Sequence, residues 1–496
     1  MVNVPVITPL LATLSLLAFA SWKGVDTWIP DSLRSFFAPS PTLSASLSLP
    51  PSPASAKALP PHQLRVAPVS LSEAVVQHRL SGGYGVYAIG WVDSSSTAPP
   101  DIVCEGCGGQ KVLNFSTPAP FPMCNGIHKI PCAWSGSMWY SYVAEVTFDS
   151  PEPVLHIGGD SFPLNIPENT VVAAAMFDAC MSPNAGGLMN CFADVNNFQV
   201  MHDRLAEINE SSHGGINLII WGGDNGYGRN QPHDVEGNLP HVYATRLGGL
   251  DFLTTAPLFM LMGNHEYDQD AHHGCSTGDC MNDAGAAPYV AFGMTSAVKS
   301  WFSDPDALCN CSSTACSSSL FFNGGTQPVD WKYTLGFYAV GDLGVITFDG
   351  RWNLRNLLDA SQGDPDFKAA VQSGLKYMGN AGVLENVWVL GHWNNEGQGG
   401  ASSAVDGRRE FLQFASKLGI GEYTTSTWFA FSGHAHTNTQ GGDTDYCLGG
   451  NGQSWAASPV GCGCASKVVF NQSHQTSVEF TSPGGKCPTH CTTTGR

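Results

Sequence analysis

Ile216-Asn-Leu-Ile-Ile-Trp221 runs directly into Gly222-Gly-Asp-Asn-Gly-Tyr227. A short apolar run of this kind, rich in branched side chains and closed by glycine, reads as a buried strand rather than as a helix face. The turn behind it carries a carboxylate and a phenol. The same pattern recurs along the chain. Val171 to Phe177 is apolar and ends at Asp178, and Pro257-Leu-Phe-Met-Leu-Met262 runs into Gly263-Asn-His-Glu-Tyr-Asp268. Val387-Trp-Val-Leu390 precedes Gly391-His392, and Trp428-Phe-Ala-Phe-Ser432 precedes Gly433-His-Ala-His436. Helix-like segments such as Phe198 to Ile208 separate these strands, which predicts an α/β layered domain. Open α/β sheets place their sites beyond the carboxyl ends of the strands, where these polar residues fall.

Outward from this core, composition sets limits. The chain has 496 residues, of which 41 are Asp or Glu and 22 are Lys or Arg, for a formal net charge of −19. Bulk charge of that sign excludes binding to duplex nucleic acid through its phosphates. A hydrophobic content of 43%, with 13 Trp, 13 Tyr and 25 Phe, excludes a disordered chain. The 16 Cys are mostly clustered in sequence, and Asn-x-Ser acceptors occur at Asn114, Asn209, Asn310 and Asn471. Both features point to an oxidising compartment, hence to a secreted, lumenal or cell-surface protein.

Val4 to Ala20 is almost wholly apolar and ends in Ala18-Phe19-Ala20, so residues 1–20 read as a signal peptide cleaved after Ala20 or as an uncleaved membrane anchor. Residues 21–71, rich in Ser, Pro and Ala, read as a flexible linker. A short helix over Glu73 to Leu80, a strand at Val86 to Trp91 and further strands to Ile166 make residues 72–166 a small disulfide-stapled β region. Residues 167–482 form the α/β domain, and residues 483–496 a Cys-containing tail.

Asp178, Asp224, Asn264, His392, His434 and His436 are a mixed set of oxygen and imidazole donors suited to zinc, manganese or iron. Their order, Gly-Asp, Gly-Asn-His-Glu, Gly-His and Gly-His-x-His after successive strands, resembles the metallophosphoesterase (calcineurin-like phosphoesterase) superfamily over about Val171 to Phe480. The resemblance implies a four-layer α/β/β/α sandwich with two metal ions and a phosphate ester substrate attacked by a metal-bound hydroxide. It makes Asp224 the carboxylate bridging both ions, Asp178 and His436 ligands of the first, and Asn264, His392 and His434 ligands of the second. His265 would act on the phosphate or the leaving oxygen, with Glu266 orienting it or a neighbouring ligand, and Asn225 and Arg351 are further candidate substrate contacts.

The superfamily's first motif is Asp-x-His, whereas this chain has Asp178-Ala179-Cys180. Together with Tyr227, three residues after Asp224, this resembles the purple acid phosphatases, which lack that His and set a tyrosinate on a ferric ion. A phenolate favours a trivalent ion, giving iron paired with zinc, manganese or iron. Other roles stay open at this level. Tyr227 can stack on substrate or pack, leaving a zinc or manganese pair; Cys180 can be a ligand or a disulfide partner; Arg351 can bind phosphate or form a salt bridge. Three functions fit: an acid phosphatase-like phosphomonoesterase, a phosphodiesterase on nucleotides or lipid head groups, and a binding module with a degenerate metal site.

Overall fold

A computed structural model describes residues 62–93, 101–115, 119–122, 138–178, 190–191, 195–223, 250–263, 280–281, 327–328, 334–348, 354–361, 363–392, 402–421, 423–434, 438–440, 443–448, 453–454 and 465–479. These fall within the unit Lys57–Arg496.

The first part is an antiparallel β-sandwich. One sheet has the order β1 (His62–Pro68), β2 (Gly85–Asp93), β6 (Met138–Phe148) and β5 (Ala119–Pro122). The other has the order β4 (Lys111–Val112), β3 (Ile102–Glu105), β7 (Val154–Ile157) and β8 (Asp160–Pro163). Alternate residues of both sheets, among them Leu64, Val66, Tyr87, Ile89, Trp91, Ile102, Tyr142, Phe148 and Leu155, fill one core. Cys104 and Cys107, both buried there, form a disulfide.

The flexible linker expected over residues 21–71 therefore ends earlier than its composition suggests. His62–Pro68 pairs along its whole length with β2, from His62 opposite Asp93 to Pro68 opposite Tyr87. The stretch reads His62-Gln-Leu-Arg-Val-Ala-Pro68, and its alternating Leu64 and Val66 gain meaning only against a partner strand. Helix α1 (Glu73–Leu80), capped by the Ser72 side chain, follows. Beyond the sandwich, Val66 bridges Pro257, the Leu71 amide donates to the Phe337 carbonyl at 2.6 Å, and Arg79 donates to the Gly341 carbonyl at 2.8 Å.

The second part is the layered domain. Its first sheet has the order β12 (Leu258–Met260), β11 (Leu218–Trp221), β9 (Val171–Met176), β22 (Ser466–Phe470) and β23 (Thr476–Glu479). The strands β9, β11 and β12 are parallel, and β22 runs antiparallel to β9. The second sheet has the order β15 (Gly336–Val340), β16 (Leu343–Thr347), β17 (Val387–Leu390), β18 (Trp428–Ser432), β20 (Asp445–Leu448) and β19 (Asn438–Gln440). Two ribbons lie outside these sheets, β10 (Asn190–Cys191) with β21 (Gln453–Ser454) and β13 (Cys280–Met281) with β14 (Gln327–Pro328).

The period of two along each strand decides which residues meet. Val171, Ala173, Ala175 and Phe177 face Val345, Trp388, Leu390 and Phe431 in the core between the sheets. The intervening Ile346, Val387, Val389 and Trp428 face helices α5 (Pro365–Asn380) and α6 (Ser402–Lys417), together with the short α4 (Leu354–Leu357). Strands buried on both faces read as continuous apolar runs, which is why β9 and β17 carry no polar residue. Helix α5 begins where the Asp364 carboxylate accepts from the Asp366 and Phe367 amides with Pro365 at its first position, and it buries Phe367, Val371, Leu375 and Met378 along one stripe. On the far side of the first sheet, α2 (Val195–Ser211) buries Leu205 and Ile208 and is tied to the sheet by Arg204, which donates to the Ala465 carbonyl and to Glu479. A further short helix, α3 (Phe252–Thr255), precedes β12. The expected four-layer α/β/β/α arrangement is what these layers form.

Arg408 of α6 shows how the outer layer is fastened. Its guanidinium is buried and contacts the Trp428 carbonyl at 2.9 Å, Thr444 Oγ1 at 2.7 Å and Asp445 at 2.6 Å. Replacing Arg408 with Met leaves Asp445 and a strand carbonyl without their cation. Breaking a buried pair costs about 3–5 kcal/mol, and the part exposure of Asp445 brings the expected loss to about 2–4 kcal/mol. A lower urea midpoint at unchanged slope is the expected readout.

Candidate metal centre

The two sheets meet at the carboxyl ends of β9, β11, β17 and β18. Asp178, two residues past β9, is fully buried and holds a left-handed backbone with φ of 51°. Among described non-glycine residues only Asp178, His434 and His474 have positive φ, so two of the three are candidate ligands. Such backbones persist where surrounding structure over-determines them, and they cluster at functional sites. The Asp178 amide donates to the Gly223 carbonyl at 3.1 Å, which fixes the turn to the end of β11.

The Asp178 carboxylate divides its work. Its Oδ2 accepts the backbone N–H of His434 at 2.7 Å, tying the first sheet to the second. Its Oδ1 faces His392 Nε2 at 3.5 Å, with both side chains sealed from solvent. The other His392 ring nitrogen, Nδ1, lies 2.7 Å from the Gly222 carbonyl. A carbonyl only accepts, so Nδ1 carries the proton and Nε2 presents its lone pair in the neutral ring. That lone pair and a carboxylate oxygen repel unless positive charge lies between them, as a proton on Nε2 or as a metal ion. A carbonyl behind the far ring nitrogen is the usual way a ligand histidine is oriented. The pair fits a cation. The His434 ring stands edge-on to that of His392, with centroids 5.8 Å apart.

Glycines make this approach possible. A Cβ on Gly433 would sit 2.5 Å from Asp178 Oδ2 and 2.8 Å from His392 Nδ1. Gly223, with φ of 92°, packs so closely on the end of β12 that a Cβ would meet the Gly263 nitrogen at 2.6 Å. The chain thus enters Asp224 and Asn264 from two touching glycines. Asp178, His392 and His434 are brought together. Asp224, Asn225, Tyr227, Asn264, His265, Glu266, Arg351 and His436 lie outside the described residues, as does Cys180. Among the described residues no three His, Cys, Asp or Glu side chains form a complete metal cage. Two contributors escaped sequence reasoning, the Gly222 carbonyl and the Gly433 α-carbon; the repeated glycine before each polar motif was the available sign of them.

The profile of the calcineurin-like phosphoesterase family matches residues 190–437. This span includes the Gly-Asp, Gly-Asn-His-Glu, Gly-His and Gly-His-x-His segments; Asp178 precedes it and joins the site through its contacts with His392 and His434. No curated protein matches the chain. The matched half of the chain, the two-sheet layering and the buried carboxylate–imidazole pair at the strand ends agree, and the chain belongs to the calcineurin-like phosphoesterase family of metal-dependent phosphoester hydrolases, which typically use a dinuclear metal centre.

Proposed function

We propose that the protein is a secreted phosphomonoesterase of the purple acid phosphatase type, holding iron together with zinc, manganese or a second iron. The observation that carries this reading is the Asp178 carboxylate, whose Oδ2 is spent on the His434 amide while Oδ1 stays toward His392. With Ala179-Cys180 in place of the first-motif histidine, the first site needs another donor, and Tyr227 is the residue spaced to supply it. Bound ions would neutralise phosphoryl charge and lower the pKa of a coordinated water. Of the chain's own residues, Asp224 would bridge, His265 would protonate or stabilise the leaving oxygen with Glu266 behind it, and Asn225 and Arg351 would hold phosphoryl oxygens. Secretion is supported by the apolar residues 4–20, the Asn-x-Ser sites and the Cys104–Cys107 disulfide.

The test is elemental analysis of chelator-free protein together with turnover of 4-nitrophenyl phosphate and of its bis-ester. Two metals per chain including iron, with the monoester preferred, is the expected result. A zinc or manganese pair with diester preference would replace this reading by the phosphodiesterase. Asp224→Asn and His265→Ala are each expected to lower monoester kcat/KM by about a hundredfold or more. Unchanged rates would leave a binding module.

A further inference from the structure

The Asn-x-Ser acceptor at Asn471 occupies the tip of the hairpin joining β22 and β23. The Asn471 amide donates to the Gln475 carbonyl at 3.0 Å, and the His474 amide donates to the Asn471 carbonyl at 2.8 Å. His474 has φ of 58° and lays its ring on Phe470. This is a three-residue loop closed by a turn and a left-handed residue. The Asn471 side chain builds it, since Oδ1 accepts from the Ser473 amide at 2.9 Å and from the Gln475 amide at 3.1 Å. The carboxamide oxygen is thus engaged by the loop's own amides, and Asn471 itself is half-buried. Gln472, Ser473, His474 and Gln475 are all exposed around it. Asn209 shares the half-burial and the engaged Oδ1, taken there by the Ile216 amide at 2.8 Å, but lies within α2 rather than in a hairpin loop.

The hairpin also stands at the harmless end of the domain. Phe470 pairs with Val171 at the start of β9, whereas Asp178 follows the other end of that strand. Seven residues at about 3.3 Å each separate the tip from the metal centre by about 20 Å.

We infer that Asn471 is an N-glycan attachment site, an inference that rests on the secretory reading proposed above. The co-reactant is an oligosaccharide joined through its anomeric carbon to the diphosphate of a polyisoprenoid lipid. Nδ2 forms the new bond to that carbon and gives up one proton, and the carbon–oxygen bond breaks with its electrons going to the departing lipid diphosphate. The Ser473 hydroxyl completes the acceptor.

The test expresses the full chain in a eukaryotic secretory host and maps glycopeptides by mass spectrometry after enzymatic release in heavy-oxygen water, which converts each occupied Asn to labelled Asp. Label at Asn471, and loss of one glycan in Ser473→Ala with unchanged monoester kcat/KM, is the expected result. Ser473→Ala keeps Asn471 and both backbone bonds to its Oδ1, so a folding defect is not built into the variant. A secreted chain labelled at other acceptors but not at Asn471 overturns this inference alone. A chain retained in the cytosol without label overturns the secretory reading and this inference with it. A glycan at Asn471 whose removal changes kcat/KM overturns the placement at the end remote from the centre.

Discussion

Replacing His392 with Ala is expected to lower phosphomonoester kcat/KM by about a thousandfold or more and to reduce the metal content of the purified protein. Several kcal/mol of transition-state stabilisation depend on a correctly held ion, and each 1.36 kcal/mol is about a factor of ten. The substitution also removes the group that faces Asp178 Oδ1 at 3.5 Å in a site closed to solvent. A buried carboxylate that loses its partner costs about 3–5 kcal/mol, so the urea midpoint should fall as well. Metal content separates the two ways of placing positive charge between these side chains. A variant that loses stability yet retains a full metal complement and wild-type turnover would mean that a proton, not a metal ion, joins His392 to Asp178.

The second large effect is expected from the smallest possible insertion, Gly433→Ala. The obstacle is space, because Gly433 lies outside the left-handed region and the new methyl would meet Asp178 Oδ2 at 2.5 Å and the His392 ring at 2.8 and 2.9 Å. Neither neighbour can retreat, as both are fully buried and each is bonded to backbone of another strand end. Overpacking of this kind costs about 1–3 kcal/mol of stability. Its larger consequence is geometric, since a displacement of about 1 Å in a reacting constellation lowers turnover about a hundredfold. The variant should therefore fold, melt a few degrees lower and lose most of its kcat. Wild-type kcat would show that the strand ends yield, and that the closeness of Gly433 to the pair has no functional meaning.

Much of the layered domain could be read from particular residues. Val387–Leu390 and Trp428–Ser432 are strands with the expected limits, because apolar runs buried on both faces end sharply where glycine and histidine begin. Glu73–Leu80 is likewise the expected helix, bounded by its serine cap. Strand β1 was hidden, since Leu64 and Val66 become core residues only through pairing with β2, a relation between segments that local composition cannot express. At the site, residue types and order pointed to Asp178, His392 and His434. The use of one Asp178 oxygen on a backbone amide, and the Gly222 carbonyl that sets the His392 tautomer, arise from the meeting of two sheets and leave no local trace in sequence.

The stretch from β1 to Leu71 touches both sheets of the catalytic half, bridging Pro257 beside β12 and bonding to Phe337 of β15. These are the outermost described strands on that side of their respective sheets. Unpaired outer strands offer rows of free amides and carbonyls to any other chain, and natural proteins cover them. The N-terminal sandwich thus acts as an edge guard for its neighbour. Residue 167, where the sequence pattern changes, marks a change of architecture but a poor place to cut: a fragment beginning there would keep every candidate ligand and expose two sheet margins to self-association.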